Sequence, residues 1–260
     1  MAMARTRSVA LEGTRGHLVE IEADISPGLP KVILVGLPDA SLGEARDRCR
    51  AAVVNSRRSW PDRKVTIGLS PAALPKFGSH YDLGIAVAVL TASGEVPRDS
   101  LPDTLFLGEL ALDGRLRAVP GVLPSALAAA DAGCERIIVP EANAPEAELV
   151  GDLEVIAARS LRHAVAVLRD EEVPDDPPVP PLVPSGPASW CEQGRLDLLD
   201  LRDVVGQDAG RIAIVVAAAG GHHAFLQGPP GVGKTMLAER LPGLLPDLGR
   251  RDAMEVMAVQ

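Results

Sequence analysis

Residues 225–237 read FLQGPPGVGKTML, and this stretch decides the fold of the C-terminal part of the chain. Residues 228–235 fit the eight-residue pattern G-x-x-x-x-G-K-[S/T] of a phosphate-binding loop. Residues 223–228 (HAFLQG) before it predict a strand, and residues 234–241 after it predict a helix. A helix is also predicted over 207–219. Strand, loop and helix in this order are the context in which such a loop binds a nucleotide.

Each residue type in the loop has a chemical reason to be there. Glycines let backbone N–H groups turn inward around a phosphate, because no Cβ stands in the way. Lys234 would place an ammonium group on the β- and γ-phosphates, and the Thr235 hydroxyl would coordinate Mg²⁺. The pattern therefore predicts ATP and Mg²⁺ as cofactors, and the full match disfavours a simple helix-capping turn. The predicted nucleotide-binding residues are Gly228, Pro229, Pro230, Gly231, Val232, Gly233, Lys234, Thr235 and Met236.

Composition restricts the class of protein. Of the 260 residues 47% are hydrophobic but only 2% are aromatic, which indicates cores of Ala, Val, Leu and Ile. Such cores suit parallel strands covered by helices. No apolar run is long enough to span a bilayer, and the N-terminus lacks the apolar segment of an export signal. The three cysteines are far apart and form no CxxC pair, so we expect a cytoplasmic protein with no membrane partner, disulfide framework or zinc site.

Prolines divide the chain. Residues 171–190, EEVPDDPPVPPLVPSGPASW, contain seven prolines and four acidic residues. Such a segment cannot form helix or sheet ladders and is typical of an extended spacer. We therefore predict a domain over residues 1–170, a linker over 171–190 and a C-terminal domain that begins at residue 191.

Hydrophobic periodicity predicts mixed strands and helices in the first domain, which is typical of α/β and α+β folds. The predicted strands cover residues 18–25, 31–37, 64–70, 136–140 and 153–158. The predicted helices cover residues 41–57, 81–93, 124–132, 143–149 and 160–169. Residues 105–119 predict a hairpin with Asp113-Gly114 as a type I′ turn.

The segment around the phosphate-binding loop resembles a known superfamily. Residues 201–246, LRDVVGQDAGRIAIVVAAAGGHHAFLQGPPGVGKTMLAERLPGLLP, resemble the opening of an AAA+ ATPase module. The part from residue 217 onward closely resembles the magnesium-chelatase-like YifB/ComM family. The DVVGQ segment resembles the part that closes over adenine, which adds Val205 and Gly206 to the predicted site. His222 and His223 would then begin the strand and bind no metal.

The first domain resembles the same family. The residues concerned are 19–56 (VEIEADISPGLPKVILVGLPDASLGEARDRCRAAVVNS), 68–90 (GLSPAALPKFGSHYDLGIAVAVL) and 106–150, which begin FLGELALDGRL. This region is similar to the proteolytic domain of Lon and the C-terminal domain of the RadA repair protein. The resemblance implies a ribosomal-S5-like α+β fold, followed by the linker and the first part of a P-loop AAA+ α/β domain.

The resemblance to Lon raises the question of protease activity. Lon-type hydrolysis uses a serine nucleophile activated by a lysine of lowered pKa. The nucleophile is expected where this chain reads HYDLG, which has no serine, and the lysine is expected near Leu123, where there is none. Ser79 is close in sequence but has no evident base. We therefore predict a catalytically inactive Lon-like domain.

The family resemblance implies an ATP-driven motor. It implies a homo-oligomeric, hexameric ring that translocates on DNA and promotes branch migration during DNA uptake and recombination. Two alternatives are the ATPase subunit of a magnesium-chelatase-type metal insertion complex and a non-enzymatic assembly domain. No Walker B carboxylate, sensor residue or arginine finger is recognisable after Thr235. We therefore expect a partial protein that binds ATP without hydrolysing it. Lys234 would act in catalysis, through its contact with the phosphates, only in the full-length protein.

One basic segment stands out in a chain of net charge −9. Between residues 46 and 64 there are seven basic and two acidic residues. Arg46, Arg50 and Arg57 project at similar angles from the predicted helix, so they are candidates for DNA contact. The alternative is a charged helix face that only meets solvent.

Overall fold

The computed structural model describes residues 2–36, 40–179 and 199–257. These residues form two compact units. The first consists of residues 2–36 and 40–179 together with residues 253–257, and the second consists of residues 199–252.

A seven-stranded mixed sheet is the centre of the first unit. Its strands are β1 (Ala2–Glu12), β2 (Arg15–Ser26), β3 (Lys31–Val35), β4 (Lys64–Ser70), β5 (Thr104–Phe106), β8 (Arg136–Pro140) and β9 (Glu154–Ala158). Their order in the sheet is β3-β4-β2-β1-β5-β8-β9. The β4-β2-β1 part is antiparallel, whereas β3 is parallel to β4 and the β1-β5-β8-β9 part is parallel throughout. A separate short hairpin joins β6 (Glu109–Leu110) to β7 (Leu116–Arg117).

Five helices cover the two faces of this sheet. They are α1 (Ala40–Asn55), α2 (Asp82–Ala92), α3 (Val122–Asp131), α4 (Ala144–Glu148) and α5 (Leu161–Leu168). One hydrophobic core lies under α1, α2 and α5, and the other lies under α3 and α4. Strand β8 serves both cores, because Ile138 lies in the first whereas Ile137 and Val139 lie in the second. Successive side chains of a strand point to opposite faces, so a strand between two helical layers reads as the continuous aliphatic run seen here.

Strand β2 shows the other pattern. Val19, Ile21, Ala23 and Ile25 are buried, and the residues between them are only half-buried. This alternation is typical of an antiparallel strand with one face on the core.

Helix α2 lies at the centre of the first core, and every residue from Asp82 to Ala92 is buried. Gly84 allows this close packing, since a Cβ at that position would lie 2.8 Å from Cδ1 of Ile21 on β2. The hydroxyl of Thr6 on β1 donates a hydrogen bond of 2.9 Å to the Gly84 carbonyl. The helix that begins within GSHYDLG is therefore fixed to the middle of the sheet.

The predicted strands and helices of the first domain are present, with ends shifted by a few residues, and the α/β fold class is confirmed. The predicted 105–119 hairpin is only partly right, because Leu105 belongs to β5 and pairs within the main sheet. The type I′ turn is wrong. A type I′ turn needs positive φ at both central residues, but of this pair only Gly114, with φ +88°, has one. Its N–H donates to the Ala111 carbonyl at 2.9 Å, which makes Leu112 and Asp113 the central residues.

The second unit contains the phosphate-binding loop. Its helices are α6 (Asp208–Gly220) and α7 (Lys234–Ala238), and α8 (Arg250–Met257) begins at its end. The strand predicted over 223–228 is not formed, and the helix predicted over 234–241 ends at Ala238. A strand is stabilised by pairing with a neighbour, and residues 199–257 contain no strand that could pair with it.

The predicted linker is described only in part. Residues 171–179 contain no helix or strand, and residues 180–198, including Cys191, lie outside the described residues. Cys49 and Cys134 are buried free thiols. Among the helices of the described residues, none has the length and apolar character that crossing a membrane requires.

Candidate functional site

The loop between residue 228 and α7 has the backbone shape that its glycines predict. Gly231 and Gly233 have φ of +84° and +85°, the left-handed region that side chains with a Cβ rarely adopt. At Gly233 an added Cβ would also lie 3.1 Å from the Cε atom of Met236. The loop is exposed to solvent, as a ligand site requires.

Lys234 lies inside this loop. Its Nζ atom donates hydrogen bonds of 2.8 Å to the carbonyls of both Gly228 and Pro229. The loop therefore bends around the ammonium group. Within the described residues, the N–H groups of Gly231, Val232 and Gly233 donate no hydrogen bond. Three backbone donors without an acceptor and one cation thus belong to the same exposed loop, and this is a donor set for an anion.

Gln207 connects the DVVGQ segment to the loop. It has φ +58° just before α6, and its Nε2 atom donates to the Val232 carbonyl at 2.6 Å. The two predicted stretches of the site, residues 203–207 and 228–236, are therefore brought together. Gln207 was missed by the sequence analysis as a site residue, although it closes the DVVGQ motif. Val205 and Gly206, which were predicted, are exposed beside it.

A small hydrophobic cluster lies below the loop. It consists of Leu201, Val204, Ile214 and Leu237, with Met236 packed against it. This cluster joins the 201–204 segment, α6 and α7. The predicted residue Met236 therefore supports the loop from below, while Thr235 is exposed at its rim.

The residues present fit Mg·ATP better than a metal ion alone. Mg²⁺ is usually held by a few protein oxygens together with phosphate oxygens, and the Thr235 hydroxyl is the protein ligand that the motif supplies. The described part of the chain contains no group of three His, Cys, Asp or Glu residues placed to hold a metal. His222 and His223 are exposed.

In the first unit, the region matching the Lon nucleophile holds no serine–lysine pair. The Ser79 hydroxyl donates to the carboxylate of Glu109 and is not paired with a lysine amine. Lys76 is fully buried and donates to the backbone carbonyls of Gly36, at 3.1 Å, and Leu69, at 3.2 Å. Leu123, at the place expected for a lysine, is buried on α3.

Asp82 explains the GSHYDLG segment physically. Its carboxylate is fully buried and accepts two hydrogen bonds from Arg48 on α1, at 2.8 and 3.1 Å. It also accepts the N–H of Leu110 on β6 at 3.3 Å. Burial raises the pKa of Asp82 to about 6, although the hydrogen bonds from Arg48 oppose that shift. The carboxylate therefore links α1, α2 and β6 at the start of the buried helix.

The predicted DNA contacts are separated by the structure. Arg46 and Arg50 are exposed on α1 and line one groove of the first unit. Arg57 lies beyond the end of α1 with φ +58° and does not line that groove.

Comparison with known proteins now adds to this geometry. The family described as "Subunit ChlI of Mg-chelatase" matches residues 21–143, and "Magnesium chelatase, subunit ChlI" matches residues 200–260. An uncharacterized protein of Mycobacterium tuberculosis is 51% identical over 259 residues, covering all of this chain and 50% of that protein. YifB of Escherichia coli is 40% identical over 259 residues (100% of this chain, 49% of YifB). Competence protein ComM of Haemophilus influenzae is 40% identical over 259 residues, which make up all of this chain and 50% of ComM.

The chain belongs to the magnesium-chelatase-like YifB/ComM family. It spans about half the length of the curated relatives it matches. Lon protease 1 of Thermus thermophilus is 34% identical over 156 residues, which cover 54% of this chain and 19% of that protease. The Lon-like fold of the N-terminal domain and the AAA+-type character of the chain are thus confirmed.

The Asp82–Arg48 pair generates a stability prediction. Burial raises the Asp82 pKa in the folded state above its unfolded value, so protonation of Asp82 stabilises the fold and that stabilisation is lost as pH rises through about 6. Arg48→Met leaves a buried carboxylate without its partner. We expect the free energy of unfolding to fall by about 3 kcal/mol near pH 8 and by clearly less near pH 5, where Asp82 is protonated.

Urea unfolding at both pH values measures this effect, with Arg46→Met as the matched control. Arg46 lies on the same helix but forms an exposed pair with Asp47 at 3.0 Å, so its removal should change little at either pH. An Arg48→Met penalty that is equal at the two pH values would show that Asp82 ionisation does not matter.

Proposed function

We propose that the second unit binds Mg·ATP in the loop of residues 228–235. The observation that carries the proposal is the position of Lys234, whose ammonium group lies inside a glycine loop with three N–H groups that have no acceptor among the described residues. Backbone donors and one ammonium group match the charge and the acceptor oxygens of a triphosphate. Gln207 donates to the loop at the Val232 carbonyl, and the DVVGQ segment that it ends, with Val205 and Gly206, would close over the adenine.

The residues of the loop would have separate roles. When ATP binds, Lys234 would exchange its hydrogen bonds to two neutral carbonyls for hydrogen bonds to charged phosphate oxygens. This exchange favours binding, because a hydrogen bond between two charged groups is stronger than one to a neutral acceptor. The amides of Gly231 and Gly233 would orient the same phosphates. Thr235 would supply one oxygen to the Mg²⁺ that accompanies the nucleotide. ATP with its Mg²⁺ supplies the phosphoryl group that a motor of this family would transfer to water.

We also propose that these 260 residues alone bind ATP without turning it over. Hydrolysis in P-loop ATPases needs a carboxylate at the end of a neighbouring strand. Residues 199–257 contain no strand, and hence no carboxylate at such a position.

For the whole protein we propose a DNA-directed motor. Support comes from the family, which includes a relative named competence protein ComM that matches this chain from end to end. Such a motor would be a cytoplasmic homo-oligomer, in the family a hexameric ring, that moves DNA branch points. The Lon-like domain of residues 1–170 would be a proteolytically silent platform, tethered through residues 171–190 to the ATPase domain that starts at residue 191. The pairing of Ser79 with Glu109 rather than a lysine supports its silence.

Nucleotide binding is tested with Lys234→Ala in the 260-residue chain. Loss of charged hydrogen bonds costs about 1.5–3 kcal/mol each, so we expect Mg·ATP to bind at least roughly tenfold more weakly. Titration calorimetry with a non-hydrolysable analogue measures this. Arg202→Ala is the matched control, since it removes an exposed cation of the same unit that pairs with Asp200 at 3.4 Å. Equal affinity of the Lys234 variant and the unchanged chain would disprove the proposed site.

The motor proposal needs the full-length gene product. We expect ATP-dependent branch migration of a synthetic four-way DNA junction, and its loss in Lys234→Ala.

The magnesium-chelatase description of both matched families favours one competing function, metal insertion into a porphyrin. If the full-length protein inserts Mg²⁺ into a porphyrin and does not move the DNA junction, the metal-insertion alternative is supported. If the full-length protein and its Lys234→Ala variant move the junction equally well, the proposed role of the loop is wrong.

A further inference from the structure

A groove of about 610 Å³ lies on the surface of the first unit. Its walls are the start of β3, the exposed row of α1 and the loop that leads from α1 to β4. Five cationic side chains line it: Lys31, Arg46, Arg50, Arg58 and Arg63. Together with Trp60, which lies among them, we call these residues the basic groove.

Charge distinguishes the basic groove from the rest of the protein. Only two carboxylates, Asp47 and Asp62, line it beside the five cations, whereas the whole chain has a net charge of −9. A local excess of cations on an acidic protein attracts polyanions to that one place.

Several of these cations are available for a ligand. Arg58 is held by Glu95 at 3.3 Å and Glu171 at 3.5 Å, so its role is structural. Arg46 pairs with Asp47, but both side chains are exposed, and such pairs contribute little in water. Lys31, Arg50 and Arg63 are exposed and form no ion pair or side-chain hydrogen bond within the described ranges.

Trp60 gives the groove an apolar surface between the charges. It is half-buried, packs against the first core and still lines the groove. Aromatic residues are only 2% of this chain. An indole ring that is fixed from below and open to a cationic groove can stack with an unpaired base.

We propose that the basic groove binds single-stranded nucleic acid, with Arg50, Arg63 and Lys31 on its phosphates and Trp60 stacked on a base. One helical turn separates Arg46 from Arg50, about 6 Å along the axis, so the cations follow a path rather than surround one point. Such a path suits a backbone with repeated charges better than a single small anion. Bases of a duplex are paired and stacked on each other, so only a single strand can also use Trp60.

This site lies in the first unit and needs no nucleotide in the phosphate-binding loop. It extends the proposed function by naming a second surface, while its failure would leave ATP binding unaffected. It also changes the set of candidate contacts, because Arg57 is outside the groove and Lys31, Arg63 and Trp60 are inside it.

The test uses the 260-residue chain without ATP and a fluorescent oligothymidylate of about 20 nucleotides. We expect saturable binding at about 50 mM salt and a steep loss of affinity as the salt concentration rises. Arg50→Glu/Arg63→Glu should weaken binding by roughly tenfold or more and reduce the salt slope by about 0.7 for each lost phosphate contact. The charge-matched control is Arg15→Glu/Arg98→Glu, two exposed arginines outside the groove, which should bind like the unchanged chain.

Trp60 provides an independent readout that needs no change in the groove. In a Trp190→Phe background Trp60 is the one remaining tryptophan, and we expect its fluorescence to be quenched as the oligonucleotide binds. An equal loss of affinity in both double variants, or no binding at low salt, would overturn the proposal. The proposal would also be wrong if an acidic peptide or a DNA duplex bound as tightly as the single strand and Trp60 fluorescence were not quenched.

Discussion

The phosphate-binding loop depends on two side chains that hold its backbone from either side. The Lys234 ammonium group binds the carbonyls of Gly228 and Pro229, and the Gln207 amide binds the carbonyl of Val232. These contacts matter because the residues before the loop form no strand in this structure. The loop is shaped by its own residues and by the DVVGQ segment, and the N–H groups of Gly231, Val232 and Gly233 have no acceptor among the described residues. The shape of the loop therefore follows from its glycine backbone conformations, the Lys234 cation and the Gln207 amide.

Short-range features were predictable from the sequence, and features that need a distant partner were not. The alternation in β2 predicts a strand with one face on a core, and the aliphatic run in β8 predicts a strand with a core on each face. Both patterns depend only on neighbouring residues of the chain. The loop was predictable because eight neighbouring residues carry its chemistry. The strand predicted over 223–228 failed, since a strand forms only beside another strand and residues 199–257 contain none. The type I′ turn at Asp113-Gly114 failed because the chain reverses one residue earlier, with Leu112 and Asp113 as the central residues. The Arg48–Asp82 contact joins residues 34 positions apart, and no local pattern could reveal it.

Polar residues of this chain have two different roles. In the first unit, the region that matches the Lon nucleophile is built into the core. Asp82 is paired with Arg48 under the start of α2, Lys76 is surrounded by backbone carbonyls, and Ser79 binds Glu109. These groups stabilise the structure, and Ser79 is paired with a carboxylate where a Lon-type site would need a lysine. The basic groove and the phosphate-binding loop instead present exposed polar groups that have no partner among the described residues, which is why we place binding on these two surfaces.

The central claim is that backbone amides of this loop and the Lys234 ammonium group hold a triphosphate. Amide chemical shifts of the 260-residue chain, followed by NMR as Mg·ATP is added, test it most directly. We expect saturable shifts centred on the amides of Gly231, Gly233 and Lys234, with a smaller change at the side-chain amide of Gln207. Saturation with no change at these amides, or shifts confined to the first unit, would contradict the account.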